Sequence, residues 1–135
     1  MRKKIVAIAL VGIMTLSNFV PAFASRNSTS ISGSTTKFSA TGTATIDNVT
    51  NEAIATATAS VACGMNVTAV FIYNGGQEHY GYTSNYATSC TAVAQKSGVQ
   101  AEKARGEFTI TNGTAVWGDA CVSKSFKYIG MEYSS

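Results

Sequence analysis

Residues 103–121 read KARGEFTITNGTAVWGDAC, two alternating runs of apolar and polar residues around Asn112-Gly113. Such alternation is typical of half-buried strands, because successive side chains of a strand point to opposite faces. An Asn-Gly pair between two such runs favours a two-residue hairpin turn, since both residues tolerate positive φ. The stretch therefore predicts a β-hairpin in which Phe108 lies opposite Trp117.

The same register gives this hairpin one apolar and one polar face. Ala104 is then expected opposite Cys121. The predicted core side carries Ala104, Phe108, Ile110, Ala115, Trp117 and Cys121. The predicted solvent side carries Lys103, Arg105, Glu107 and Thr109. A charged row of this kind is more often a solvated face than a recognition strip.

Alternating runs rich in Thr, Ala and β-branched residues recur along the chain, separated by Gly and Asn, and no stretch sustains a helical period. The runs cover residues 37–47, 52–63, 67–73 and 86–96, with a turn expected at 63–66 and a long loop at 74–85. We predict an all-β fold, a small antiparallel β-sandwich of six to seven strands joined largely by up-and-down hairpins. A small β-barrel is the alternative. Residues 128–133 would supply either the seventh strand, at an edge of the sheet, or a docked C-terminal tail.

The N-terminal region has the pattern of a secretory signal peptide. Arg2, Lys3 and Lys4 precede an apolar run, and Ala22-Phe23-Ala24 is a small-x-small cleavage signal. We expect residues 1–24 to be removed after Ala24, residues 25–36 to form a flexible Ser/Thr-rich lead-in, and residues 37–135 to form one β-domain. The mature protein is then secreted and has no membrane span.

Removal of this segment changes the charge of the protein. The chain has ten Lys and Arg against seven Asp and Glu, and three of the ten lie at positions 2–4. The mature chain then holds seven of each sign and has a formal net charge of zero. Nothing basic remains to indicate a nucleic-acid partner.

The three cysteines permit one disulfide in an exported protein. If every strand reverses the chain, Cys63 and Cys121 lie at the same end of the domain, whereas Cys90 lies about 20 Å away at ~3.3 Å per residue. We predict a Cys63–Cys121 disulfide and a free, buried thiol at Cys90.

Catalytic and metal-binding patterns are missing from the sequence. His79 is the one histidine, no serine stands in a G-x-S-x-G motif, and the cysteines and histidine lack the usual metal-ligand spacings. We predict no enzyme activity, no catalytic residues, no metal and no cofactor.

A cluster of aromatic residues in the expected loop is the candidate binding site. Tyrosine combines a flat apolar ring with a polar tip, which suits stacking on sugar rings or contact with a protein surface. The alternative is that this segment is only a long connection between strands. The candidate binding residues are Gln77, His79, Tyr80, Tyr82 and Tyr86.

The segment Ser84-Asn85-Tyr86 and the single Trp117, followed by alternating small residues, resemble the lactococcin class of secreted β-sandwich bacteriocins. The similarity covers less than half of the mature chain, and the Gly-Trp start and His-rich middle of that class are missing. The resemblance implies a bacteriocin-like antagonist as an alternative function.

The leading expectation is a small secreted non-catalytic β-domain that acts by surface contact outside the cell or at the cell envelope, through the aromatic loop. Its partner would be an envelope glycan or a protein surface. A structural matrix or coat component is a further alternative.

Overall fold

The computed structural model describes residues 26–125 as one antiparallel sheet. Its six strands are β1 Arg26–Ser34, β2 Ser39–Asp47, β3 Glu52–Tyr73, β4 Gln77–Gln95, β5 Lys103–Asn112 and β6 Ala115–Lys124. The all-β, antiparallel prediction is confirmed. The predicted signal peptide at 1–24 and the predicted seventh strand at 128–133 lie outside the described residues.

The 22-residue strand β3 is the centre of the sheet and pairs with β2, β4 and β5, while β1 pairs with β2 and β6 with β5. β4 pairs along one edge of β3, while β2 and β5 share the other edge, at residues 52–59 and 64–72 respectively. Residues 59–62 of β3 lie opposite Thr88 alone, a bulge that bends both strands. The bend places the β1–β2 hairpin over the β5–β6 hairpin, with the core between them.

The sheet is nearly closed into a barrel, because β1 and β6 lie side by side. Side chains join the two strands. Asn27 Nδ2 donates to the Lys124 carbonyl at 2.8 Å, and Ser123 Oγ donates to the Asn27 carbonyl at 3.0 Å. The Thr29 and Ser123 hydroxyls are 3.2 Å apart. The architecture therefore approaches the predicted barrel alternative.

The core combines many alanines with a few large rings. The Phe108 and Trp117 rings stack with their centroids 6.4 Å apart. Both rings rest against glycine backbones of the facing hairpin: a Cβ at Gly42 would lie 2.5 Å from the Phe108 ring, and one at Gly33 would lie 2.1 Å from Trp117 Nε1. Glycine is required at these two positions because the two hairpins approach so closely.

The domain begins earlier than the sequence predicted. The segment expected to be a flexible lead-in forms β1, which pairs with β2 over all nine of its residues. Hydroxyl pairs accompany the backbone pairing: Ser28–Thr45 at 2.7 Å and Ser30–Thr43 at 2.8 Å. The prediction was wrong because β1 is stabilised largely by polar cross-strand pairs, and its sequence has little of the apolar alternation that indicates a strand.

The turn expected at 63–66 is also absent, since β3 runs through it. Cys63, Met65 and Val67 are buried on the same face as Ala53 and Ala57. Ala57 and Cys63 are six residues apart, an even number, so the alternation of β3 keeps its phase across the bend. Two predicted strands are therefore one.

The strand order also departs from the largely up-and-down prediction. β1 to β4 follow one another as hairpins, but β5 pairs with β3 and not with β4. The disulfide prediction assumed that successive strands pair, which fixed the end of the domain at which each cysteine would lie. The pairing of β5 with β3 changes those positions.

The β5–β6 hairpin forms at the predicted place in a different register. Its turn is Gly113-Thr114, so Ile110 lies opposite Trp117 and Phe108 lies opposite Asp119. A shift of two residues leaves every side chain on its predicted face. Ala104 consequently faces Ser123, and Cys121 faces Gly106.

Asn112 ends β5 and does not enter the turn. Its amide donates to the Ala62 carbonyl at 3.3 Å, which holds it against the bend of β3. Gly113 alone takes positive φ, at 62°, as the first central residue of a type II′ turn does.

Gly113→Val should destabilise the domain, because a β-branched residue at positive φ is strained by about 1–3 kcal/mol. Thr114→Val is the matched control, since Thr114 has an ordinary negative φ. Urea unfolding measures both variants. Equal free energies of unfolding for Gly113→Val and the wild type would contradict the turn assignment.

All three cysteines are buried and none is paired, so the predicted Cys63–Cys121 disulfide is not present. Cys63 Sγ lies 3.9 Å from Asn112 Nδ2 at one end of β5, whereas Cys121 faces Gly106, six residues away. That is about 20 Å along the strand, and a disulfide needs Cα atoms within about 4.4–6.8 Å. Cys90 is buried and unpaired like the other two cysteines. Burial raises the pKa of the Cys90 and Cys121 thiols.

Candidate functional site

The tyrosine-rich segment is a strand, not the loop that the sequence predicted. Residues 74–76 alone make the turn after β3, with φ values of 48° at Asn74, 80° at Gly75 and 136° at Gly76. β4 begins directly afterwards, and Gln77 pairs with Tyr73. Three consecutive residues at positive φ reverse the chain, so the tyrosines that follow are held in the sheet.

Strand alternation separates the five predicted binding residues into two groups. Tyr80, Tyr82 and Tyr86 point outward from β4, with 55%, 64% and 69% of their surfaces exposed. Gln77 and His79 point to the other side of the strand, where the partner of His79 is the core residue Phe71. The structure brings the three tyrosines together and leaves Gln77 and His79 outside the group.

The tyrosines belong to a broad outer surface formed by β4, β3 and β5. Cross-strand pairing places the side chains in rows across the three strands. The rows are Glu78–Ile72–Lys103, Tyr80–Val70–Arg105, Tyr82–Thr68–Glu107, Ser84–Asn66–Thr109 and Tyr86–Gly64–Thr111. We call these fifteen residues the tyrosine face.

Asn66 fixes the middle of the tyrosine face. Its Oδ1 accepts hydrogen bonds from the Tyr82 hydroxyl at 2.8 Å and from the Ser84 hydroxyl at 2.7 Å. The bond to Asn66 directs the Tyr82 ring across the sheet toward β3. Asn66 is an exposed residue, and within residues 26–125 its Nδ2 group donates no hydrogen bond. Asn66 was not among the predicted site residues, because it was expected to lie in a turn.

Arg105 links the β4 and β5 edges of the tyrosine face. Its Nη1 and Nη2 donate to the two carboxylate oxygens of Glu78 at 2.8 and 3.2 Å, and its Nε donates to Glu107 at 2.8 Å. The Tyr80 hydroxyl also donates to Glu78. A bidentate Arg–carboxylate pair is the strongest common type of surface ion pair. The positive charges of Arg105 and Lys103 balance the negative charges of Glu78 and Glu107, so the net charge of the tyrosine face is zero.

These contacts change the ionisation of the residues involved. The hydrogen bonds from Arg105, and then from Tyr80, lower the pKa of Glu78 to about 2. The bond to Glu78 raises the pKa of Tyr80 above its usual value, and the Arg105 pKa is likewise raised. The Arg105–Glu78 ion pair therefore persists through the neutral and mildly acidic range.

The Glu78 carboxyl should titrate at about pH 2 in the folded protein, because Arg105 stabilises its charged form. The stabilising contribution of a carboxyl with a lowered pKa is complete above its unfolded pKa and is lost as the pH falls through its folded pKa. In Arg105→Gln the Glu78 pKa should rise toward 4.5, whereas Arg26→Gln, which removes an ion pair to Asp47, should leave it unchanged. NMR titration of the carboxyl carbon measures the Glu78 pKa in the wild type and in the two variants. A wild-type Glu78 that titrates near 4.5 would contradict the geometry.

Residues 26–125 hold no group of three or more His, Cys, Asp and Glu side chains that could bind a metal ion. The same residues include no helix of the length and apolarity needed to cross a membrane.

Comparisons of the chain with protein-family models, curated proteins and solved structures found no match. The tyrosine face is therefore interpreted from its own geometry.

Proposed function

We propose that this protein is a secreted, non-catalytic β-domain that acts by contact through the tyrosine face, outside the cell or at the cell envelope. The partner is an envelope glycan or a protein surface. The signal-peptide pattern of residues 1–24 supports export.

The exposure of three tyrosines in line on one strand carries the proposal. At 55–69% exposure these rings are not core residues of the sheet. Two of their hydroxyls already bond to neighbours on the same face, so less side-chain freedom is lost when a partner binds. Exposed aromatic residues of this kind are enriched at binding surfaces.

Co-sedimentation of the protein lacking residues 1–24 with isolated cell envelopes tests this proposal. Tyr80→Ser with Tyr82→Ser should weaken retention about tenfold, which is about 1.4 kcal/mol of binding free energy. The same pair should cost about 1 kcal/mol or less of folding stability, because both rings are exposed.

The matched control is the double variant Thr43→Ala with Thr56→Ala, on the outer surface of the other half of the sheet. Its retention should equal that of the wild type. A large loss of stability in the tyrosine double variant would show that the rings serve the fold. The proposal would be overturned if the wild type and both double variants were retained equally, or if envelopes did not retain the wild type at all.

A further inference from the structure

We infer that the tyrosine face binds an uncharged, linear polysaccharide that lies along β4. This inference rests on the proposed function and narrows its ligand to one chemical class. Three properties of the face carry it: the length of the tyrosine row, the free hydrogen-bonding groups between the rings, and the balance of charge.

The tyrosine row is longer than one small molecule. Tyr80 and Tyr82 are two residues apart and Tyr82 and Tyr86 four, which is about 7 and 13 Å at ~3.3 Å per residue. The row therefore extends for about 20 Å in a straight line along one strand. A chain of repeating rings can contact all three tyrosines at once, whereas a single sugar covers one of them.

Polar groups stand between the rings where the hydroxyls of such a chain would lie. Asn66 and Ser84 occupy the row between Tyr82 and Tyr86. The Ser84 and Tyr82 hydroxyls donate to Asn66, so each keeps its oxygen lone pairs to accept a bond. The Asn66 Nδ2 group supplies donors. Sugar hydroxyls need both donors and acceptors beside an apolar ring face, and this arrangement offers them.

The balanced charges of the face give an anionic ligand no electrostatic advantage over a neutral one. Arg105 uses its Nε, Nη1 and Nη2 atoms on Glu78 and Glu107, so its charge is already compensated. Lys103 balances the remaining carboxylate, and the face is neutral overall. A polyanion therefore meets no net positive charge on this face and no uncompensated arginine.

A protein partner is the less favoured occupant. Protein interfaces depend on apolar anchors buried at their centre. The centre of this face holds Asn66, Ser84 and Thr68, whereas its two aliphatic residues, Val70 and Ile72, are buried and cannot serve as exposed anchors. Val116 and Val122 are exposed but lie on β6, outside the tyrosine face.

Co-sedimentation of the protein lacking residues 1–24 with insoluble cellulose, chitin and β-1,3-glucan, and affinity gels containing the acidic polymers alginate and polygalacturonate, test the inference. We expect retention on at least one neutral polymer and on neither acidic one. Because the ligand carries no charge, 0.5 M NaCl should change the retention less than about twofold.

Three variants identify the surface that binds. Tyr82→Ala should weaken retention about tenfold, whereas Tyr82→Phe, which keeps the ring, should stay within about threefold of the wild type. Asn66→Asp can still accept from Tyr82 and Ser84 but loses its donors, and it should weaken retention about fivefold or more. Thr43→Ala is the control and should bind normally.

Retention on none of the neutral polymers overturns the inference, as does preference for an acidic polymer or undiminished binding of Tyr82→Ala. If envelopes still retain the protein in a tyrosine-dependent manner, the proposed function survives and the polysaccharide class alone fails. If envelopes do not retain it either, both fail.

Discussion

Gly81→Ala should lower the free energy of unfolding by about 3 kcal/mol or more, at the upper end of the usual cost of overpacking. A Cβ at Gly81 would lie 1.9 Å from the carbonyl oxygen of Val93 and 2.6 Å from its carbonyl carbon. Both residues belong to β4, which folds back toward itself at the bend. Because the obstacle is backbone, no side-chain rotation can relieve the clash.

Gly118→Ala is the matched control for this experiment. Its Cβ would lie 3.5 Å from the nearest atom, the Phe108 carbonyl oxygen, which is an ordinary contact. We expect a change within about 0.5 kcal/mol. Urea unfolding of both variants gives the comparison. Equal stabilities for the two would mean that the halves of β4 do not approach each other at Gly81.

Phe108→Ala should cost about 3–5 kcal/mol, the range for removing a buried aromatic ring. The Phe108 ring stacks on Trp117 and fills the space that Gly42 and Gly106 leave open. The neighbouring core residues are largely alanines, whose short side chains cannot extend into the cavity.

Tyr86→Ala controls for the loss of an aromatic ring as such, since Tyr86 is 69% exposed. We expect it to cost about 1 kcal/mol or less. Thermal unfolding followed by circular dichroism measures both variants. A Phe108→Ala midpoint that matches Tyr86→Ala would show that the ring is not part of the core.

Strand alternation predicted β2, β5 and β6, because each presents one apolar face to the core. It could not predict β1, whose cross-strand partners are serine and threonine hydroxyls. It also divided β3 at Gly64 and Asn66, which are common turn residues. The bend in β3 arises where four of its residues lie opposite one residue of β4. This pairing joins residues about 30 positions apart, so local sequence patterns do not reveal it.

The exact hairpin register depends on contacts that a local motif does not contain. Asn112 stays in β5 because its amide reaches Ala62, 50 residues earlier in the sequence. The cysteine pairing failed for a related reason. It assumed that Cys63 ends a strand and that successive strands pair, whereas β3 continues and β5 returns to it.

The candidate site was likewise predictable from the sequence only in part. Composition indicated the tyrosines, and alternation along β4 would have grouped Tyr80, Tyr82 and Tyr86 had the segment been interpreted as a strand. Asn66, Glu78 and Arg105 come from three different strands, and only the pairing of β4 and β5 with β3 brings them together.

The central claim is that residues 77–86 are strand, paired with β3, so that their tyrosines form a flat face. Cross-strand backbone NOEs in the NMR spectrum of the folded protein test it most directly. We expect Thr68 to show NOEs to both Tyr82 and Glu107, its neighbours on β4 and β5. Random-coil shifts for residues 77–86, with no NOE between Thr68 and Tyr82, would contradict it.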